Sequence, residues 1–181
     1  MGVYTEILSD SEIVGMCEGF DTIVILGCGA CANEAFAYLK YNLISKTIQN
    51  EEEHTYKQPY AINCEMERIK DILRNKGHRV KTMIINIYGE KSVCTLNDND
   101  LESLRKEIPS GDVILALCCS SGQMGIKKIV GSSSSINVLS IVEVVGTLYC
   151  HFEDKGEKQL IVKEKCVVVP FSCDKEINRS G

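Results

Sequence analysis

The chain has 181 residues, 44% of them hydrophobic and 25% charged, with a formal net charge of -5; this is enough length for one domain with a full core, and the charge disfavours nucleic acid or an anionic membrane as partner. The first residues, MGVYTEILSDSEIV, lack both the basic and the apolar segment of a secretory signal, and no apolar stretch reaches the length of a membrane span, so a cytoplasmic protein is expected. Ten cysteines in such a reducing setting favour metal, iron–sulfur or redox roles over a structural disulfide framework.

In chain order, residues 3–19 carry Ile7, Ile13, Val14 and Met16 at helix-like spacing before Gly19, which predicts a short amphipathic helix. Residues 22–26 form a continuous β-branched and leucine run ending at Gly27, as expected of a strand buried on both faces. Beyond the turn GCGACA, residues Phe36, Leu39, Leu43, Ile44 and Ile48 recur at spacings that predict a helix over 33–49. The polar stretch NEEEHTYKQP reads as a surface connection, followed by a helix over 63–75 with Met66, Ile69, Ile72 and Leu73 as its stripe and Gly77 as its stop. A second strand is expected over 78–87, then a loop containing Cys94, a helix over 100–107, a third strand over 113–117, and a short helix opened by CCSSGQMG that ends near Val130. GSSSS reads as a turn, 136–142 as a fourth strand, and the last quarter as a β-hairpin about DKG. Alternating strands and helices point to an α/β fold, Rossmann or flavodoxin-like, with a mostly parallel sheet: residues 1–150 form the cysteine-site domain and 151–181 a C-terminal β extension of it.

In a parallel sheet all carboxyl ends face one edge, so the thiols just beyond different strands can meet there. Cys28 and Cys31 form C-x-x-C where a helix N-terminus favours thiolate, the form that binds metal; the same pair also suits a dithiol/disulfide couple. Cys118 and Cys119 are adjacent on an extended backbone and must point oppositely, which assigns Cys119 to the site and Cys118 to the core. With Cys94 from the loop between them, Cys28, Cys31, Cys94 and Cys119 make a four-thiolate set suited to zinc or an iron–sulfur cluster. Cys64 is placed at the opposite edge as a reserve ligand, while Cys17, Cys150 and Cys166 read as packing and Cys173 as structural. GCGACA also satisfies G-x-G-x-x-A, so Gly27 and Gly29, with Ser120, Ser121 and Gln123, are candidates for contacts to a cofactor, and a nucleotide or other small molecule is the alternative ligand. His54, His78 and His151 are not placed to serve a strand-end cysteine as base.

Taken in order, GCGACA, SVCTLNDNDLESL and DVILALCCSSGQMG resemble the C-terminal, zinc-binding-type domain family associated with methylenetetrahydrofolate reductase, which includes small accessory subunits of acetogen-type reductases. The resemblance spans roughly residues 21–147; Cys28, Cys31, Cys94, Cys119 and Gln123 match its motifs, whereas Ala35 stands where the family has a further cysteine. It implies a non-catalytic accessory protein of one-carbon metabolism or electron transfer, holding zinc or an iron–sulfur cluster and docking on a flavin-dependent reductase subunit. Homo-oligomerisation and a thiol redox role are the other expectations.

Overall fold

The computed structural model describes residues 2–49, 55–85, 92–131 and 136–171. Its centre is a four-stranded, wholly parallel sheet built from β2 (Thr22–Cys28), β5 (Arg79–Ile85), β6 (Val113–Leu117) and β7 (Asn137–Ser140), in the order β5-β2-β6-β7. Residues of β2 alternate between two cores, as strand geometry requires. Ile23 and Ile25 face α1 (Asp10–Met16) and α3 (Ala61–Asn75), whereas Val24, Leu26 and Cys28 face α4 (Asp98–Glu107) and α5 (Ser120–Val130). The strand is apolar throughout because it is covered on both sides.

Two antiparallel sheets flank this centre. One joins β1 (Gly2–Ile7), β8 (Val142–Tyr149) and β11 (Val167–Pro170) in the order β1-β8-β11; the other joins β3 (Leu43–Gln49), β4 (Thr55–Pro59), β9 (Phe152–Lys155) and β10 (Lys158–Ile161) in the order β4-β3-β10-β9.

Several expected elements differ. The N-terminal segment is not one helix: β1 pairs with β8, and only Asp10–Met16 is helical, started by a capping box between Ser9 and Glu12. The residues of β1 meet a partner strand more than 130 positions away, which local periodicity cannot reveal. Likewise the helix expected over 33–49 is α2 (Cys31–Phe36) plus one π turn, Ala37–Tyr41, and then Asn42 at φ 56° starts β3. The widened turn brings Lys40 and Tyr41 to the fully buried Glu65, 2.9 and 2.6 Å away, with Arg68 at 3.0 Å. Burial alone would raise the Glu65 pKa, but these three donors hold it below its usual value. Part of the expected polar connection is strand β4; residues 50–54, with His54, lie outside the described residues.

Helix α3 is longer than its apolar stripe suggested and lacks a local side-chain cap. Buried Asn33 on α2 substitutes: its Oδ1 accepts from the Ile62 amide and its Nδ2 donates to the Ile44 carbonyl, both at 2.9 Å. This one amide joins α2, β3 and α3. The helix stops where Gly77 adopts φ 94°, as expected. Helix α4 begins at Asp98, capped by Asn97, two residues before the expected start. The fourth expected strand is split at Ile141 between β7, in the parallel sheet, and β8, in the β1 sheet. The hairpin about DKG is present as β9 and β10, but β10 pairs with β3, so the C-terminal residues are woven into the body of the fold. GSSSS falls largely on 132–135, outside the described residues. Among the described residues no helix is long and apolar enough to cross a membrane.

Candidate thiolate site

The order β5-β2-β6-β7 means that the connection after β2 leads to one side of the sheet and the connection after β6 to the other. The carboxyl ends of β2 and β6 are therefore the point at which the strand order reverses, the position at which open parallel sheets bind ligands. Cys28 ends β2, Cys31 starts α2, and Cys118 and Cys119 join β6 to α5. Parallel pairing of Gly27 with Leu117 brings the two loops level.

The adjacent cysteines divide as their alternation demands. Cys118 is fully buried in the core with Val24, Leu26 and Ile126, and burial pushes its thiol pKa far up. Cys119 turns the other way, where the Cys31 thiol donates a hydrogen bond to it; this bond and the Gly122 backbone amide outweigh burial and lower its pKa to about 7. Cys31 moves oppositely: it is the donor to Cys119, and it is also half-buried, so its pKa is raised although the Val3 amide faces its sulfur. Of the two sulfurs Cys119, at the start of the eleven-residue helix α5, therefore gives up its proton first while Cys31 keeps its own. C-x-x-C was the expected place for that thiolate, and the fold shifts it to the other loop.

Cys28 is 4% exposed and its pKa is raised by burial, opposed by the Val93 and Ala30 amides. The charges of Cys31 and Cys94 also act on it, as does its own on Cys119. Cys94 is exposed on a single 3-10 turn, Val93–Thr95, with its sulfur 3.2 Å from Ser92 Oγ. All four expected thiols thus gather at one edge, Cys31 and Cys119 in contact and Cys28 and Cys94 beside them. Among the described residues no three His, Cys, Asp or Glu side chains are arranged to hold a metal ion in this conformation. The donor chemistry nevertheless suits zinc or an iron–sulfur cluster: sulfur ligands, one already ionised near neutrality.

Two glycines set this geometry. A Cβ on Gly122 would lie 2.9 Å from Cys118 Cβ and 3.1 Å from its Sγ, and one on Gly125 would lie 2.6 Å from the Val93 carbonyl oxygen. Gly122 thus lets α5 start against the cysteine pair, and Gly125 lets the Cys94 turn seat on α5. Gly27 has a packing role, since its Cβ would fall 2.5 Å from Met66 Sδ and 3.1 Å from Ile62 Cγ1 on α3. Gly29 lies in the turn before α2, Ser120 and Ser121 are exposed in the first turn of α5, and the Gln123 amide donates to the Cys119 carbonyl at 2.9 Å. The cap position of α5 belongs to Cys119, not to either serine.

Cys64 stands elsewhere than expected. Ile62 and Met66 pack beside Gly27, near the carboxyl end of β2, so the start of α3 lies at the site's edge of the sheet, yet the Cys64 thiol hydrogen-bonds Tyr60 and acts on Tyr41 instead. Cys17 is buried packing, its thiol pushed up to about 11 by burial. Of the histidines, His78 Nδ1 lies 2.8 Å from the Phe20 carbonyl at the amino end of β5, and His151 is exposed beyond β8.

Sequence periodicity missed the contribution of β1. A Cβ on Gly2 would come 2.8 Å from Glu34 Oε2 and 3.5 Å from Cys31 Sγ, so the strand's first residues lie over Cys31 and the half-buried Glu34, whose pKa burial raises. The i,i+3 spacing of Cys31 and Glu34 on one helix was the available signal. Comparison of the chain with protein-family models, curated proteins and solved structures finds no match.

Proposed function

We propose that the carboxyl edge of the parallel sheet is a thiolate site for a soft metal centre, zinc or an iron–sulfur cluster, in a flavodoxin-like accessory protein. The observation that carries this reading is the gathering of Cys28, Cys31, Cys94 and Cys119 from the ends of β2, β5 and β6, with Cys119 ionised near neutrality. Cys31 and Cys119 would be the first two ligands, and Cys28 and Cys94 would complete the set. A bound centre would supply either a rigid cross-link between strand ends or, as a cluster, a one-electron relay. The resemblance of GCGAC and CCSSGQMG to accessory domains of methylenetetrahydrofolate reductase supports a partner role beside a flavin-dependent reductase subunit in one-carbon metabolism.

Anaerobic purification followed by zinc, iron and acid-labile sulfide analysis tests this. Stoichiometric metal in the wild type and in Cys64→Ser, lost in Cys119→Ser and Cys31→Ser, is the expected result. Metal-free protein whose four site thiols react at the same rate with and without added zinc would refute it.

The direct Cys31–Cys119 contact favours a second reading, a dithiol/disulfide couple, because the thiolate and its partner are already adjacent. Reversible loss of both thiols in metal-free protein, at a defined potential, would select that reading.

A further inference from the structure

Among the described residues outside this site, a second pair of thiols lies close together. Strands β8 and β11 run antiparallel with Val167 opposite Tyr149, Val168 opposite Leu148, Val169 opposite Thr147 and Pro170 opposite Gly146. Continuing the same register one step beyond the strand ends sets Cys166 opposite Cys150. The Cys166 thiol lies close enough to act on Cys150, and it donates to the Val162 carbonyl oxygen at 3.2 Å.

The ladder decides how close their backbones come. The Phe171 amide donates to the Val145 carbonyl at 2.9 Å, so Phe171 and Val145 are a hydrogen-bonded pair. Antiparallel pairs alternate, which makes Pro170 and Gly146 a non-hydrogen-bonded pair, consistent with a proline that has no N–H to give. Counting back, position 166 with 150 is also non-hydrogen-bonded, and the Cys166 amide accordingly turns away to the Lys163 carbonyl at 3.0 Å. At such positions Cα atoms lie about 4.5 Å apart, inside the roughly 4.4–6.8 Å that a disulfide spans.

We propose that Cys150 and Cys166 are a redox-active pair that closes to a cross-strand disulfide, with a low-molecular-weight disulfide as the oxidant. The Cys166 sulfur attacks one sulfur of the oxidant, breaking its S–S bond, forming a mixed disulfide and releasing the first thiol. Cys150 then attacks the Cys166 sulfur, giving up its proton and releasing the second thiol. Two protein thiols lose two electrons and two protons, and one small disulfide becomes two thiols. Burial, with the Glu34 carboxylate and Cys166 nearby, pushes the Cys150 thiol up to about 12, so Cys150 remains protonated at neutral pH and the first attack falls to Cys166.

The product ties the edge strand β11 to β8 and encloses the β9–β10 hairpin in a covalent loop. It lies near Glu34, and its formation uses neither Cys31 nor Cys119.

The test is oxidation of the intact protein with glutathione disulfide, quenching with an alkylating reagent, and tryptic mapping without reduction. Lys155, Lys158, Lys163 and Lys165 lie between the two cysteines, so trypsin separates them unless they are linked. We expect peptide 129–155 joined to peptide 166–175, reversed by dithiothreitol, lost in Cys166→Ser and retained in Cys173→Ser. The oxidised wild type should also show a Tm a few degrees above the reduced form, a difference absent in Cys166→Ser. Separate peptides, each alkylated or still carrying glutathione, would overturn the proposal, as would a link that survives Cys166→Ser.

Discussion

Replacing Cys31 by alanine removes the hydrogen bond that contributes most to lowering the Cys119 pKa, and leaves burial opposed only by the Gly122 amide. The Cys119 pKa should then rise from about 7 to its ordinary 9.0 or above. At pH 7 the thiolate fraction falls from about one half to about one in a hundred, roughly 50-fold. The higher-pKa thiolate is intrinsically more nucleophilic, by roughly 6- to 10-fold over two pKa units, so the alkylation rate at pH 7 falls by only about 5- to 8-fold. The inflection of rate against pH is therefore the sharper measure. It is read by mass spectrometry on the Cys119 peptide of reduced, metal-free protein, with Cys31→Ser as companion because its hydroxyl retains a donor. Cys31→Ala should move the inflection up by about two units and Cys31→Ser by much less. An inflection near pH 7 in Cys31→Ala would show that the thiolate does not depend on its neighbour, and would refute the assignment of Cys31 as its donor.

Asn33→Ala strands the Ile62 amide and the Ile44 carbonyl in the interior and should cost about 2–4 kcal/mol in urea denaturation. Gly125→Ala should cost about 1–3 kcal/mol and displace the Val93–Thr95 turn, which selective labelling of Cys94 would detect as a changed rate. The reduced, metal-free protein should gain stability from pH 7 to about pH 8, because the folded chain has already released a proton from Cys119 while the unfolded chain still binds it. Beyond about pH 8 the sign reverses. Cys17, held at about 11, remains protonated in the folded state while its unfolded form ionises, and Cys28, Cys31, Cys118 and Cys150, all raised, act in the same direction. A stability maximum at about pH 8 by chemical denaturation across pH is the expected outcome, and a flat profile would contradict these assignments.

Where a segment buries its own apolar residues locally, its pattern was enough. The runs of β2 and β6 are covered on both faces, and α3 carries a helical stripe, so each declared its type without reference to partners. The separation of Cys118 from Cys119 followed from strand alternation alone, and gathering of the cysteines at one edge followed from parallel pairing. The errors fall where distant partners decide. Gly2–Ile7 has helix-compatible spacing but is a strand because β8 supplies its hydrogen bonds from more than 100 residues away, and Leu43–Gln49 is a strand held between nearby β4 and distant β10. Asn33 in α2 gave no local sign that it would cap α3.

The sequence by itself determined where the thiols of the candidate site fall: after strand ends, in a sheet whose apolar runs require cover on both faces. Only the tertiary structure decided which sulfur is ionised and which are paired, because a thiol's proton depends on neighbours in space. Cys31 meets Cys119 from another loop, and Cys150 meets Cys166 across a ladder, contacts that neither pair's separation along the chain announces.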